Sequence, residues 1–143
     1  MNTNSKTVEM KDRKVILSTL WISAMFNYLY ADICTSTDPA VLKKIMTGAG
    51  GGIQQNEGSL LVAAILMETA IAMVLLSRVL KYRANRWANI IVGIIQTAAV
   101  SLSLFVSMPP LYYMFFAAIE IPCTLFIVWY AWTWRNPEGQ PSQ

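Results

Sequence analysis

Histidine is absent from the 143 residues, and only two cysteines are present. The first absence removes the commonest metal ligand and the commonest general base at neutral pH, so metal-centred and triad chemistry are not expected. Cys34 ends the first apolar run and Cys123 lies inside the last. Such placement offers no even framework of paired cysteines outside a membrane. Charge is scarce as well, at 13% of residues, where a soluble domain carries about a quarter. With 55% of the chain hydrophobic, the apolar excess is too large for one soluble core of this length. A net charge of +3 raises the question of a nucleic-acid partner. The basic residues flank apolar runs and form no stripe with interleaved aromatics, so no nucleic acid is expected.

The apolar runs supply the organisation. Residues 1–14 are polar, and the run over 15–33 is long enough to cross a hydrocarbon core of ~30 Å. It is read as a span and not a cleaved leader, because Ala31-Asp32-Ile33-Cys34-Thr35 has no small-x-small cleavage site. Further spans are predicted at about 59–80, 87–106 and 111–134, each near the ~20 residues required. The expected fold is an all-α membrane protein, an antiparallel bundle of four transmembrane helices spanning 15–134. The tail, 135–143, with Pro137, Gly139 and Pro141, is expected to be disordered and cytoplasmic.

Lys6, Lys11, Arg13, Lys14, Arg78, Lys81, Arg83, Arg86 and Arg135 fall on the side of the termini, whereas only Lys43 and Lys44 fall on the other. This asymmetry places both termini and the 81–86 turn in the cytoplasm. Trp87, Trp129, Trp132 and Trp134, with Tyr112 and Tyr113 at the opposite end, mark headgroup level. Met108-Pro109-Pro110 is a very short turn that makes the last two spans antiparallel neighbours. In the external loop 34–58, Asp38 can cap a helix begun by Pro39 and ended by Gly48. Leu42, Ile45 and Met46 then share one face, as in a short helix lying on the outer membrane surface. The following Gly48-Ala49-Gly50-Gly51-Gly52 run lacks the Gly-Lys-Ser/Thr ending of a phosphate loop and reads as a connector.

An ionised side chain at the bilayer centre costs at least ~2.5–3.5 kcal/mol on insertion scales, so Glu68 and Glu120 are the informative residues. Both lie near the middle of parallel spans, each within about 5 Å of the midplane by the helical rise. Pro122 releases the carbonyl of Ala118 close to Glu120. Asn27 in the first span and Gln96 in the third fall at the same depth. Glu68, Glu120, Asn27 and Gln96 are therefore expected to face inward as one polar layer, with Ala64, Ala72, Ala117, Thr124 and Gly93 allowing close approach. Such a layer serves either as hydrogen-bonding glue or as a proton or cation relay.

Tyr28 and Asp32 share a helix face at the end of the first span. They form either an interfacial belt or the outer mouth of a path toward that layer. Met25, Met67, Met73 and Met114 read as packing filler and not as metal ligands. Ala63-Ala64-Ile65-Leu66-Met67-Glu68 echoes Ala117-Ala118-Ile119-Glu120, a hint of a duplicated hairpin.

Several stretches carry a resemblance: Leu17-Ser18-Thr19-Leu20-Trp21, the segment from Met25 to Asp32, the run from Ala64 to Asn89, Tyr112-Tyr113 and Ile119-Glu120. Over Leu17 to Trp134 the chain resembles a family of uncharacterised small bacterial membrane proteins known only as a domain of unknown function. The resemblance implies four helices and a bacterial cytoplasmic membrane, and no assigned activity. More remotely, a Glu early in a span with an Arg near its cytoplasmic end is similar to the DoxX-like group, some of which are linked to quinone or thiol redox chemistry. Small multidrug transporters share the size and an embedded Glu, but theirs lies in the first helix, where this chain offers Asn27 and Asp32.

No cofactor and no catalytic residue are expected. The leading expectation is a proton-linked carrier, channel or small-molecule binder using intramembrane carboxyls. The alternatives are a non-catalytic accessory subunit and a DoxX-like redox component. The expected partners are the lipid bilayer and a second membrane chain, identical or not.

Overall fold

The computed structural model describes residues 3–47, 57–106 and 109–134, all in helices or the short links between them. The glycine run at 48–52, Met108 and the tail at 135–143 lie outside the described residues, as do the side chains of Lys44 and Ile45. Five helices follow in order: α1 Thr3–Thr37, α2 Pro39–Thr47, α3 Glu57–Val79, α4 Tyr82–Val106 and α5 Leu111–Trp132.

Three of these, α3, α4 and α5, combine the length with the sustained apolarity needed to cross a membrane. The fourth span expected at 15–33 lies within α1, a helix of 35 residues. At 1.5 Å per residue α1 is about 52 Å long, more than a bilayer core requires. Its apolar stretch is broken by Asn27, Tyr28, Tyr30 and Asp32, which is why α1 falls short of the other three. The polar segment before residue 15 continues the same helix, where Arg13 pairs with Glu9 one turn away at 3.6 Å.

Contacts set the arrangement. α4 packs most extensively on α5, α1 packs on both α3 and α5, and the contact of α3 with α4 is thinner. Pairs that meet across α4 and α5, Thr97 with Thr124 and Ser103 with Tyr113, run in opposite sequence directions, so these helices are antiparallel. Across α3 and α4, Ser77 meets Asn89 and Leu66 meets Gln96, with the same consequence. Gly93 explains the intimacy of α4 with α5: a Cβ there would lie 2.6 Å from Cγ2 of Val128.

The apolar core gathers Leu17, Trp21, Ala70, Met73, Ile90, Ile127, Ala131 and Trp134 toward the end where α3 turns into α4. Trp134, expected in a headgroup belt, is instead buried at 3% exposure, with Tyr82 edge-on to its ring at 5.1 Å and donating to its carbonyl at 2.5 Å. Trp87, Trp129 and Trp132 are exposed, as the belt requires. Outward faces are overwhelmingly apolar; only 11% of the most apolar stretch of α3 is buried within the chain. So large an uncovered apolar surface is the signature of a lipid-facing or partner-facing protein.

The short helix begins as its sequence indicates, with Oδ1 of Asp38 accepting from the Ala40 amide at 2.8 Å. The hydroxyl of Tyr112 donates to Oδ2 of Asp38 at 3.1 Å, which ties the start of α2 to the first turn of α5. Leu42 and Met46 are left exposed on α2.

Candidate functional site

Two groups of buried polar residues lie at different depths, and they differ in one respect that matters. The first lies beside the α3–α4 turn. Asn89 accepts from Nε1 of Trp21 at 2.7 Å and from the hydroxyl of Ser77 at 3.2 Å. Its own amide donates to the carbonyl and side-chain oxygens of Asn85 at 2.8 and 2.6 Å. Asn85 in turn donates to the Ser77 carbonyl at 2.5 Å. Ser18 donates to the Val74 carbonyl at 2.8 Å and accepts from Nε of Arg78 at 3.0 Å. Every member except Arg78 is 0% exposed, so each side chain has found a partner inside the chain, as burial demands. This group binds helices together and leaves nothing free for a ligand.

The second group lies nearer the other end of the bundle and is incomplete. Gln96 donates to the Leu66 carbonyl at 2.6 Å and so ties α3 to α4. Past it a cavity of about 530 Å³ separates the two helices. Val62, Ala63, Leu66 and Met67 of α3 line one side, and Ala99, Val100 and Ser103 of α4 line another. Tyr28 and Asp32 from α1 and Tyr113 and Glu120 from α5 complete it. The volume falls within the ~300–1,000 Å³ usual for small-molecule sites.

Glu120 is 4% exposed, and its Oε1 has no hydrogen-bond partner. The Tyr28 hydroxyl is likewise buried and unpartnered. Other hydroxyls nearby are occupied: Ser103 and Tyr113 share a hydrogen bond of 2.7 Å, and Thr124 bonds Thr97 at 2.7 Å. Thr124 also donates to the backbone carbonyls of Glu120 and Ile121, at 3.0 and 3.1 Å, in the turn loosened by Pro122. The lining includes two carboxyl groups, Asp32 and Glu120, and neither Lys nor Arg.

Of the residues expected in one inward layer, Gln96 and Glu120 meet at this cavity, and Tyr28 and Asp32 join them on its wall. Asn27 does not: its amide donates to Ser23 of its own helix at 3.0 Å and it lines no part of the cavity. Glu68 does not either. It is exposed on the outer face of α3, two positions before buried Ala70, which is a rotation of about 200°. The same arithmetic removes the hairpin echo: Glu68 follows Ala63 by five residues and Glu120 follows Ala117 by three, so the two carboxyls emerge on opposite kinds of face.

Sequence reasoning missed Trp21, Asn85 and Asn89, although Asn85 and Asn89 at i and i+4 signal one polar face on α4. Tyr113, read as marking the outer end of the last span, also lines the cavity. Cys34 and Cys123 are both free thiols. Among the described residues no three His, Cys, Asp or Glu gather as a metal site would require.

A model of a family of unknown function (DUF6326) matches residues 6–140, nearly the whole chain. The chain belongs to that family. No curated protein matches, and no solved structure does. DUF6326 membership therefore supplies no activity, and the chemistry of the cavity has to be argued from its own residues.

Proposed function

We propose that this DUF6326 protein is a four-span membrane protein, with both termini cytoplasmic, that holds a small molecule in the cavity above Gln96 and Glu120. α1 serves as the fourth span. Its interrupting polar residues Tyr28 and Asp32 turn into the cavity, while Leu17, Trp21 and Ala24 are fully covered by the other helices. A helix with a polar face toward a cavity can cross lipid at lower mean apolarity than one surrounded by acyl chains. With the basic residues at the α3–α4 turn facing the cytoplasm, the cavity opens in the outer half of the membrane.

One observation carries the reading. Glu120 is buried and aimed into a cavity with an oxygen unpartnered, although the same chain satisfies the side chains bonded to Asn89. A buried carboxyl left in this state among long apolar helices calls for a partner from outside the chain. Carriage across the bilayer, with the carboxyl exchanging a proton for its ligand, is the function this arrangement serves best.

The test is reconstitution of the full chain in zwitterionic nanodiscs and proteoliposomes, followed by binding and flux measurements against a panel of small amphipathic compounds. Ala99→Phe, which fills the cavity without touching a charge, should abolish binding. Binding that survives it, or no binding by the wild type, would overturn the proposal.

A second reading has its own support. Glu68 sits near the middle of the least covered helix and has no partner among the described residues. A carboxyl in that position is tolerated where a neighbouring chain covers it, which favours a self-associating or accessory subunit that meets its partner on α3. The two readings are compatible, because the cavity and the Glu68 face are on different sides of that helix.

A further inference from the structure

Resting on the reading of the cavity as a binding site, we infer that its ligand is a protonated primary or secondary amine on an apolar body. Charge comes first. Asp32 and Glu120 are the ionisable acids lining the cavity, and no Lys or Arg lines it. An anionic ligand would meet two carboxyls with no compensating cation in surroundings of low dielectric, where repulsion is strong. A cation is drawn to the same place for the same reason.

Hydrogen-bonding capacity narrows the class. The free Oε1 of Glu120 is an acceptor when the carboxyl is ionised, and the free Tyr28 hydroxyl can also accept. A ligand head with two N–H donors can satisfy both atoms, the Tyr28 hydroxyl then serving as an acceptor. A primary or secondary ammonium has them, and its bonds to a carboxylate are of the strong, charge-assisted kind. A quaternary ammonium has the charge and no N–H, so it would leave both atoms unsatisfied. An alcohol offers one donor and no charge.

The walls fix the rest of the molecule. Val62, Leu66, Met67 and Val100 present apolar surface, and the Tyr113 hydroxyl is already engaged by Ser103. The body is therefore hydrocarbon or aromatic, with its polarity concentrated at one end. Tyr28 adds a ring beside the charged head, where cation–π attraction contributes further.

The experiment uses one skeleton with four heads: 4-phenylbutylamine, its trimethylammonium analogue, 4-phenylbutanol and 4-phenylbutyrate. Binding to the full chain in phosphatidylcholine nanodiscs is measured by calorimetry, with empty nanodiscs subtracted. The amine should bind about tenfold or more tighter than the alcohol and the quaternary analogue, and the acid should not bind. Glu120→Gln should weaken the amine about tenfold and leave the alcohol within about threefold. Tyr28→Phe, which keeps the ring, should weaken the amine alone and stands as the check if Glu120→Gln does not fold. Equal binding of amine, alcohol and quaternary analogue, all abolished by Ala99→Phe, would overturn the amine inference and leave the cavity as a site. Tighter binding of the acid would overturn it in the same way. Binding of none of the four, or binding unaffected by Ala99→Phe, would overturn both.

Discussion

Replacing Asn89 by Leu should be among the most damaging single changes in this chain, and its cost can be worked out from the contacts. Asn89 is 0% exposed and forms four side-chain hydrogen bonds, two accepted and two donated. Leu is similar in volume, so the change creates little cavity and isolates the polar effect. Side-chain hydrogen bonds between membrane helices average ~0.6 kcal/mol, which for the two bonds that Asn89 makes to other helices sums to roughly 1.2 kcal/mol. Counted by orphaned groups, Nε1 of Trp21 and the Ser77 hydroxyl lose their acceptor, at ~1–3 kcal/mol each. Together the two routes put the cost between about 1 and 6 kcal/mol. The assay is reversible unfolding in dodecyl maltoside with increasing sodium dodecyl sulfate, followed by far-ultraviolet circular dichroism. Trp21→Phe should cost less, since it removes one donor and leaves Asn89 bonded to Ser77 and Asn85. Combined with Asn89→Leu, it should fall short of additivity by about 1 kcal/mol. Thr19→Val, at an exposed hydroxyl bonded within its own helix, should move stability by less than about 0.5 kcal/mol. If Asn89→Leu costs no more than Thr19→Val, the claim that this network holds α1, α3 and α4 together is wrong.

Gly93→Leu should lower stability by about 1–3 kcal/mol in the same titration, because the added carbons enter the space of Val128 and the α4 and α5 axes must part. Glu68→Leu should convert a dimer to a monomer by light scattering in mild detergent if a second copy covers α3, and Glu68→Gln should leave the dimer intact; no change in mass with either would remove the second reading. Tyr112→Phe deletes the bond to Asp38 and should speed amide exchange across α2 by a factor of about 2–12, the equivalent of ~0.5–1.5 kcal/mol; unchanged exchange would show that the tie does not hold α2 in place.

The helices were legible in the sequence to the degree that composition alone decides them. Long apolar runs bounded by Arg78, Lys81 and Pro110 set α3, α4 and α5 within a few residues, and Asp38-Pro39 set the start of α2. The polar site was legible in part, for a geometrical reason. Depth follows from counting along a helix at 1.5 Å per residue, but facing depends on a rotation of 100° per residue about an axis whose buried side must be known. In α5 the buried side reads Ala117, Glu120, Thr124, Ile127, Ala131. Small and polar residues mark it against the large apolar ones outside. α4 marks its own with Asn85, Asn89, Gly93 and Gln96. On α3 the small residues Ala63, Ala64, Ala70 and Ala72 fall on several faces and mark none, and Glu68 was assigned inward on depth and charge alone. Its buried residues Ala70, Met73 and Ser77 lie on the other side. Asn27 misses for a smaller rotation, one residue from Tyr28. Tertiary pairing of Trp21 with Asn89, 68 positions apart, leaves no local trace at all.

The contrast between the satisfied Asn89 network and the open cavity at Glu120 bears on whether Glu120 is merely structural. If its role were to fix helix register, the chain shows how it builds such a device. Asn89 is placed among donors and acceptors from three helices, with each atom used. Glu120 has material for the same treatment close by, since Thr124 lies one turn away on its own helix and Thr97 faces it from α4, yet those hydroxyls bond each other and the backbone. Gln96 spends its amide on the Leu66 carbonyl. The bond is placed where α3 and α4 part, so it holds the cavity open at its floor without closing it over the carboxyl. Ser103 and Tyr113 likewise satisfy each other across the wall. The hydroxyls of Thr97, Thr124, Ser103 and Tyr113 are thus bonded elsewhere, and an oxygen of Glu120 and the Tyr28 hydroxyl stay unpartnered, while the side chains bonded to Asn89 near the other end are satisfied. An arrangement selected for packing would close this gap with one apolar side chain at position 120; an arrangement selected to receive a ligand would leave it as it stands.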